Sequence, residues 1–292
     1  MGEIHKVYLV NSYFHQVFTE CSLKVHRSVV LFMVMKRLDL MILTLCFLPS
    51  YFWYVKRIIS GGEEAVPALL IPVCLFAAWK IKPVFRFDAF TIAGAGLYLT
   101  LWLVAAPAMI KAGVAILTLL HYTGFLRSFG VSALAFLSLP WVSSFQYFFG
   151  HILRKIVAEG ASLTLNVVGV PVHAEGTGLA FRGSQVFVDP PCSGVKMIWA
   201  ILFLSAMLCV LFSSSWGKGI VTCFCALLLA IMGNIIRATI LFFPESQLVE
   251  WPYWTHDAIG VIAYVSVCGV LIFSHRFMNY EPKKTITHYV NP

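Results

Sequence analysis

Apolar runs of about 15 to 25 residues, each closed by a short polar or basic break, recur between residues 38 and 274. A helix rises about 1.5 Å per residue and a bilayer core takes roughly 20 apolar residues to cross, so runs of this length predict membrane-spanning helices. Eight crossings are expected, at 38–55, 65–79, 89–110, 112–126, 131–150, 193–212, 219–243 and 257–274. Residues 28–35 are apolar as well, but Lys36, Arg37 and Asp39 interrupt them, which suggests an interfacial piece. The longest polar interval, 151–189, carries two other patterns: HILRKIVAEGASLTLNVVGV reads as a helix lying at the membrane surface, and GLAFRGSQVFVD as a short hairpin around Gly183 and Ser184. The expected fold class is all-α: a polytopic transmembrane bundle of about eight helices with a small extracytoplasmic hairpin and interfacial helix.

Composition strengthens this picture. Hydrophobic residues make up 60% of the chain and charged residues 12%, against roughly 25% charged in a soluble domain. The net charge of +8 does not point to nucleic acid, because the Lys and Arg residues stand in short clusters at the ends of apolar runs and read as topology signals. With both termini inside, 13 of the 21 basic residues lie on the cytoplasmic side and six outside, while Lys196 and Arg237 fall within spans. This orientation divides the chain into a cytoplasmic arm (1–37), N-terminal transmembrane helices (38–150), an extracytoplasmic segment (151–191), a second group of transmembrane helices (192–274) and a cytoplasmic tail (275–292). The first 27 residues carry no small-residue cleavage site of the secretory kind. The eight cysteines show no disulfide framework.

Six of those cysteines lie inside apolar segments and Cys21 lies in the polar arm, which leaves Cys192 in the stretch DPPCSGVKMIWA. Asp189 is suited to cap the helix that follows and Pro190 to its first position, so Cys192 is expected in the first turn, near unpaired N–H groups and the positive end of the helix dipole. A thiol held there becomes a nucleophile more readily. The plain alternative is a small apolar residue that happens to start a helix. Arg237 is expected near the outer end of the seventh run, with Asn234 three residues earlier on the same side. An intramembrane polar notch is a functional candidate, although an arginine near a helix end can also snorkel to the headgroups. His256, followed at once by Asp257, precedes the last run among Trp251, Tyr253 and Trp254, where an interfacial role is the bland reading.

If the last three helices alternate in direction, these groups meet at one bilayer surface. Cys192 could then attack a peptide carbonyl, His256 act as general base and acid, and Arg237 stabilise the oxyanion. Lys196, four residues after Cys192, either lowers the thiol pKa or snorkels. No zinc-protease pairing, phosphate loop or dinucleotide fingerprint is present, so no metal or cofactor is expected. The rival class is a small-solute transporter that uses Asn234 and Arg237 as an anion site, though neither inverted repeats nor broken helices are visible.

From about Phe145 to Phe273 the sequence resembles the exosortase and archaeosortase family of multi-pass membrane transpeptidases. The likeness rests on PCSG at 191–194, N-x-x-R as Asn234 to Arg237, and HD at 256–257, in that order. The segment GVPVHAEG, followed by GLAFRGSQVFVD, is also similar to the family's extracytoplasmic stretch before its cysteine. The resemblance implies catalytic Cys192, Arg237 and His256, supported by Asn234, Lys196 and Asp257. It implies cleavage of C-terminal sorting signals on exported proteins, each a short PEP-like motif, a transmembrane helix and a basic tail. It also implies residence in the inner membrane, with the site facing the extracytoplasmic side. The family often carries arginine where this chain has Lys196, and a histidine at 256 is closer to the bacterial branch.

Overall fold

A computed structural model describes residues 41–53, 55–56, 84–139, 141–188, 193–252 and 254–278. The expected crossing at 65–79, the apolar piece at 28–35, the N-terminal arm and the tail beyond 278 lie outside the described residues. Eight α-helices follow in order: α1 (Met41–Trp53), α2 (Ala89–Leu103), α3 (Ala108–Tyr122), α4 (Phe129–Leu137), α5 (Trp141–Val167), α6 (Val195–Leu211), α7 (Trp216–Glu245) and α8 (Thr255–Met278). Between α5 and α6 lies a small antiparallel sheet of β1 (His173–Glu175), β2 (Gly178–Phe181) and β3 (Ser184–Phe187), in that order. The chain is a helical membrane bundle: α7 and α8 are long and apolar enough to cross a membrane, and α1, α2, α3 and α6 are shorter apolar helices.

The expected span 89–110 is divided by a turn between α2 and α3, where Ala105 adopts a positive φ of 51°. Pro107 explains the break, since the residue before a proline is pushed out of helical geometry, and the proline itself then opens α3. The expected span 131–150 is divided as well. Helix α4 stops at Leu137, three residues ahead of Pro140, and α5 starts afresh at Trp141 and runs without interruption to Val167. The surface helix anticipated after residue 151 is thus the second half of a longer helix. Its charged residues Arg154, Lys155 and Glu159 separate it from the wholly apolar spans.

The hairpin is found where the alternation placed it, with one adjustment. Phe181 pairs with Ser184, so Arg182 and Gly183 form the two-residue turn, at φ 49° and 82°. Positive φ at both central positions suits the right-handed twist of the flanking strands. The third strand, β1, was not anticipated; three residues are too few to show a period.

Lipid offers helices no hydrophobic reason to associate, so close approach through small residues has to supply the contact. On α7, Thr222, Ala226, Ala230 and Asn234 follow one another at four-residue intervals, and all four are buried. This ridge packs with Ile198 and Ile201 of α6 and with Val267 and Leu271 of α8. A second core joins Val157, Ala158, Ala161 and Leu165 of α5 to Leu179 and Phe181 of β2 and Phe242 of α7. The sheet therefore sits on the C-terminal end of α7. Its approach is fixed by Val172, whose carbonyl accepts from Ser162 Oγ at 2.8 Å and from Asn166 Nδ2 at 2.7 Å on α5.

Candidate functional site

The start of α6, the last third of α7 and the start of α8 converge beneath the sheet. Helix α6 begins at Val195 with Gly194 as its cap, in the left-handed conformation at φ 82°. A Cβ at Gly194 would stand 2.9 Å from Asn234 Nδ2, so a larger residue would be both strained and obstructed. Gly194 is how α6 reaches Asn234, which is 2% exposed on the buried ridge of α7.

One turn further along, the guanidinium of Arg237 lies against α8: a Cβ at Gly260 would be 3.5 Å from its Cζ, Nε and Nη2. Its Nε is buried and has no hydrogen-bond partner among the described residues. Arg237 therefore reaches α8 across the helix interface. His256 stands four residues before Gly260, about 6 Å along the α8 axis. Its Nε2 is 3.9 Å from Glu245 Oε1 at the end of α7, and its Nδ1 is 3.8 Å from Asp257 Oδ1. Both separations exceed a hydrogen bond. The imidazole is 42% exposed and flanked by two carboxylates.

Cys192 lies outside the described residues, as do Asp189, Pro190 and Pro191; the residues on either side of this segment are anchored. Val188 is buried and donates its N–H to the Thr177 carbonyl at 2.9 Å. Ser193 is 2% exposed, and its Oγ donates to Gln146 Oε1 of α5 at 2.8 Å. The expectation that Cys192 falls within the first helical turn therefore concerns a residue outside the described ones; regular helix begins at Val195 behind the Gly194 cap, three positions after Cys192 in the sequence. Lys196 is the second residue of α6 and is exposed. An apolar cavity of about 270 Å³ opens beside Val195, lined also by Phe136, Leu137, Val142, Phe145, Ile198, Trp199 and Leu202.

A family model described as transmembrane exosortase matches residues 60–273, more than two thirds of the chain. The chain belongs to the transmembrane exosortase family. The match takes in α2 to α7 and most of α8, and so includes the motifs at 191–194, 234–237 and 256–257. No curated protein and no solved structure matches it.

Within this exosortase the structure brings Asn234 and Arg237 together with the α6 cap and the start of α8, and sets His256 at the same end. Lys196 and Asp257 are peripheral to that junction. Two further residues were missed by sequence reasoning, Gln146 and Glu245. Gln146 is the one amide in the apolar stretch FQYFFG, a signal that an intramembrane polar residue provides in principle. Glu245 follows Pro244 at a helix end, where nothing in the sequence sets it apart from an ordinary surface carboxylate.

Proposed function

We propose that this exosortase is a membrane-embedded cysteine protease and transpeptidase that removes C-terminal sorting signals from exported proteins. The observation that carries the reading is the junction of three helices: Gly194 on Asn234, and Arg237 on Gly260 one turn from His256, with Cys192 two residues before Gly194 in the chain. Family membership adds the substrate class.

The chemistry follows from the residue types. The Cys192 thiolate attacks the scissile carbonyl carbon, and the developing oxyanion is stabilised by Arg237, a half-buried side chain whose Nε is shielded from solvent. The C–N bond breaks as His256 delivers a proton to the leaving amine, which leaves an acyl thioester on Cys192. An acceptor amine or water then attacks the thioester and releases the thiol. Glu245 and Asp257 flank the imidazole at 3.9 and 3.8 Å. Asn234 fixes the α6 cap, and Lys196 adds positive potential at the start of that helix. The apolar cavity beside Val195 receives part of the substrate's transmembrane helix. The site opens on the extracytoplasmic face of the inner membrane, and in the sequence Cys192 comes just ahead of α6, the first helix of the group 192–274.

Replacing Cys192 by Ala is expected to leave the protein folded in the membrane and to abolish removal of the signal. The check is co-expression with exported proteins that carry such tails, followed by mass spectrometry of their new C-termini. Processing that persists in the variant would overturn the assignment.

A further inference from the structure

Helix α3 carries, in its first turn, a lysine that the fold encloses. Lys111 is 8% exposed, and its ammonium nitrogen lies 3.5 Å from the centroid of the Trp102 ring near the end of α2. Side chains on a helix lean back toward its N-terminus, and Trp102 stands just before the α2–α3 turn, so the amine is aimed at the start of its own helix. There Pro107 supplies no side-chain cap, and the N–H groups of Ala108 and Met109 have no hydrogen-bond acceptor among the described residues. No carboxylate is carried by α1, α2, α3 or α4. The nearest one in the chain, Asp88, caps the opposite end of α2.

Two positive features therefore share one small space without a counter-charge. An enclosed ammonium is costly unless it is paired, and the face of a tryptophan offsets only part of that cost. The open N–H groups and the helix dipole add positive potential at the same place. A lysine that snorkels extends its amine to water, whereas Lys111 is folded in. A single anion at the turn answers both the ammonium and the N–H groups, which is how helix starts and cationic side chains together hold phosphate. The surroundings point to its source: Leu103 and Val104 are exposed apolar residues at this turn, and in a membrane bundle such residues face lipid.

We propose that Lys111 and the start of α3 form a phosphate-binding subsite, filled by the headgroup of an anionic phospholipid. The same donors suit a free phosphate ion, and the test separates the two sources. Full-length protein is stripped of lipid in a non-ionic detergent and titrated with phosphatidylglycerol, with diacylglycerol, which lacks the phosphate, or with inorganic phosphate. Bound lipid is counted by native mass spectrometry, and protection against heat is followed for all three. The wild type is expected to retain phosphatidylglycerol in preference to diacylglycerol and to be stabilised by it. Lys111→Met, which keeps the side-chain length and drops the charge, is expected to weaken that binding by about tenfold, the size of one lost charge-assisted contact; Lys111→Arg should keep it. Without added lipid Lys111→Met should be at least as heat-stable as the wild type, because no charge is left enclosed. Protection by inorganic phosphate alone, lost in Lys111→Met, would support the subsite and assign it to the free ion. Equal affinity for phosphatidylglycerol in the wild type and Lys111→Met, or equal retention of diacylglycerol, would overturn the inference. Should Lys111→Met fail to fold, Lys111→Gln takes its place. None of these measurements depends on the chemistry at Cys192.

Discussion

Helix α8 carries a histidine near each end, and their surroundings differ. His275 is fully buried: its Nε2 lies 3.3 Å from Ser214 Oγ in the α6–α7 turn, and the Phe212 ring packs 5.1 Å from its own. Around it Trp216 Nε1 donates to the Arg127 carbonyl at 3.2 Å, and Phe129 packs edge-on against Trp216. His256 is partly exposed, faces two carboxylates beyond hydrogen-bond reach, and shares its end of the bundle with a buried, unpartnered Arg237 Nε. One end closes the helices together. The other keeps hydrogen-bonding capacity in reserve, which is costly in a low-dielectric interior unless a ligand or transition state uses it.

The largest effect that would sharpen this contrast is expected at the reserved end. Arg237→Lys exchanges a planar fork for a point charge, and loss of an oxyanion donor typically costs ~2.7–4 kcal/mol of transition-state stabilisation, or roughly 10²–10³ in rate. Signal removal measured by mass spectrometry should fall accordingly, with little change in thermal stability. Wild-type turnover would mean that Arg237 is only a snorkelling residue. At the closed end the pattern should reverse. His275→Ala leaves a cavity and removes the hydrogen bond to Ser214, so heating in detergent should unfold it earlier by an amount equivalent to about 2–3 kcal/mol. Activity per folded molecule should be preserved; a selective loss of activity would erase the division between the two ends.

The smallest effect concerns Asp88, at the same end as His275 by its pairing with the end of α3. Its carboxylate accepts from His121 Nε2 at 2.9 Å and caps α2 through Thr91 N–H at 3.1 Å. The His121 hydrogen bond, then the Thr91 one, lower its pKa from 3.8 to about 2. A carboxyl depressed by folding adds stability that is complete above its unfolded value near 4 and is lost as pH falls through about 2. Asp88→Asn should therefore flatten the stability profile between about pH 4 and pH 2. Because Asp88 is exposed, the change should be small, and a profile identical to wild type in acid-unfolding experiments would show that the pair contributes nothing.

The membrane class, the three C-terminal helices and the hairpin were legible in the sequence because each rests on a long or regular pattern. Apolar runs place α6, α7 and α8 to within four residues at each end, and alternation around Gly183 places β2 and β3. What could not be read depends on tertiary partners. A proline three residues past Leu137 divides one run into α4 and α5, yet a similar proline at 244 is carried inside α7. Pro244 is the last residue but one of α7, two positions after Phe242, which packs on the sheet. At the site, Arg237 and His256 stand out as polar residues in apolar surroundings. Gln146 and Glu245 gain their meaning only from Ser193 and His256, which are 47 and 11 residues away in the chain. The glycine cap before α6 was likewise hidden, since a cap of Asp189 and Pro190 satisfies the same sequence rules.

The unequal lengths of α6 and α7 have a consequence for any substrate. Gly194 meets α7 at Asn234, eleven residues short of its end at Glu245, so the cap of α6 lies about 16 Å below the rim of its neighbour. On the proposed function, a polypeptide must descend that depth as an unwound thread, and about five extended residues at roughly 3.3 Å each are needed to do so. The rim then acts as a ruler: an exported protein whose folded body begins closer than this to its cleavage point is held off by the wall of α7 and the sheet, whatever its signal sequence.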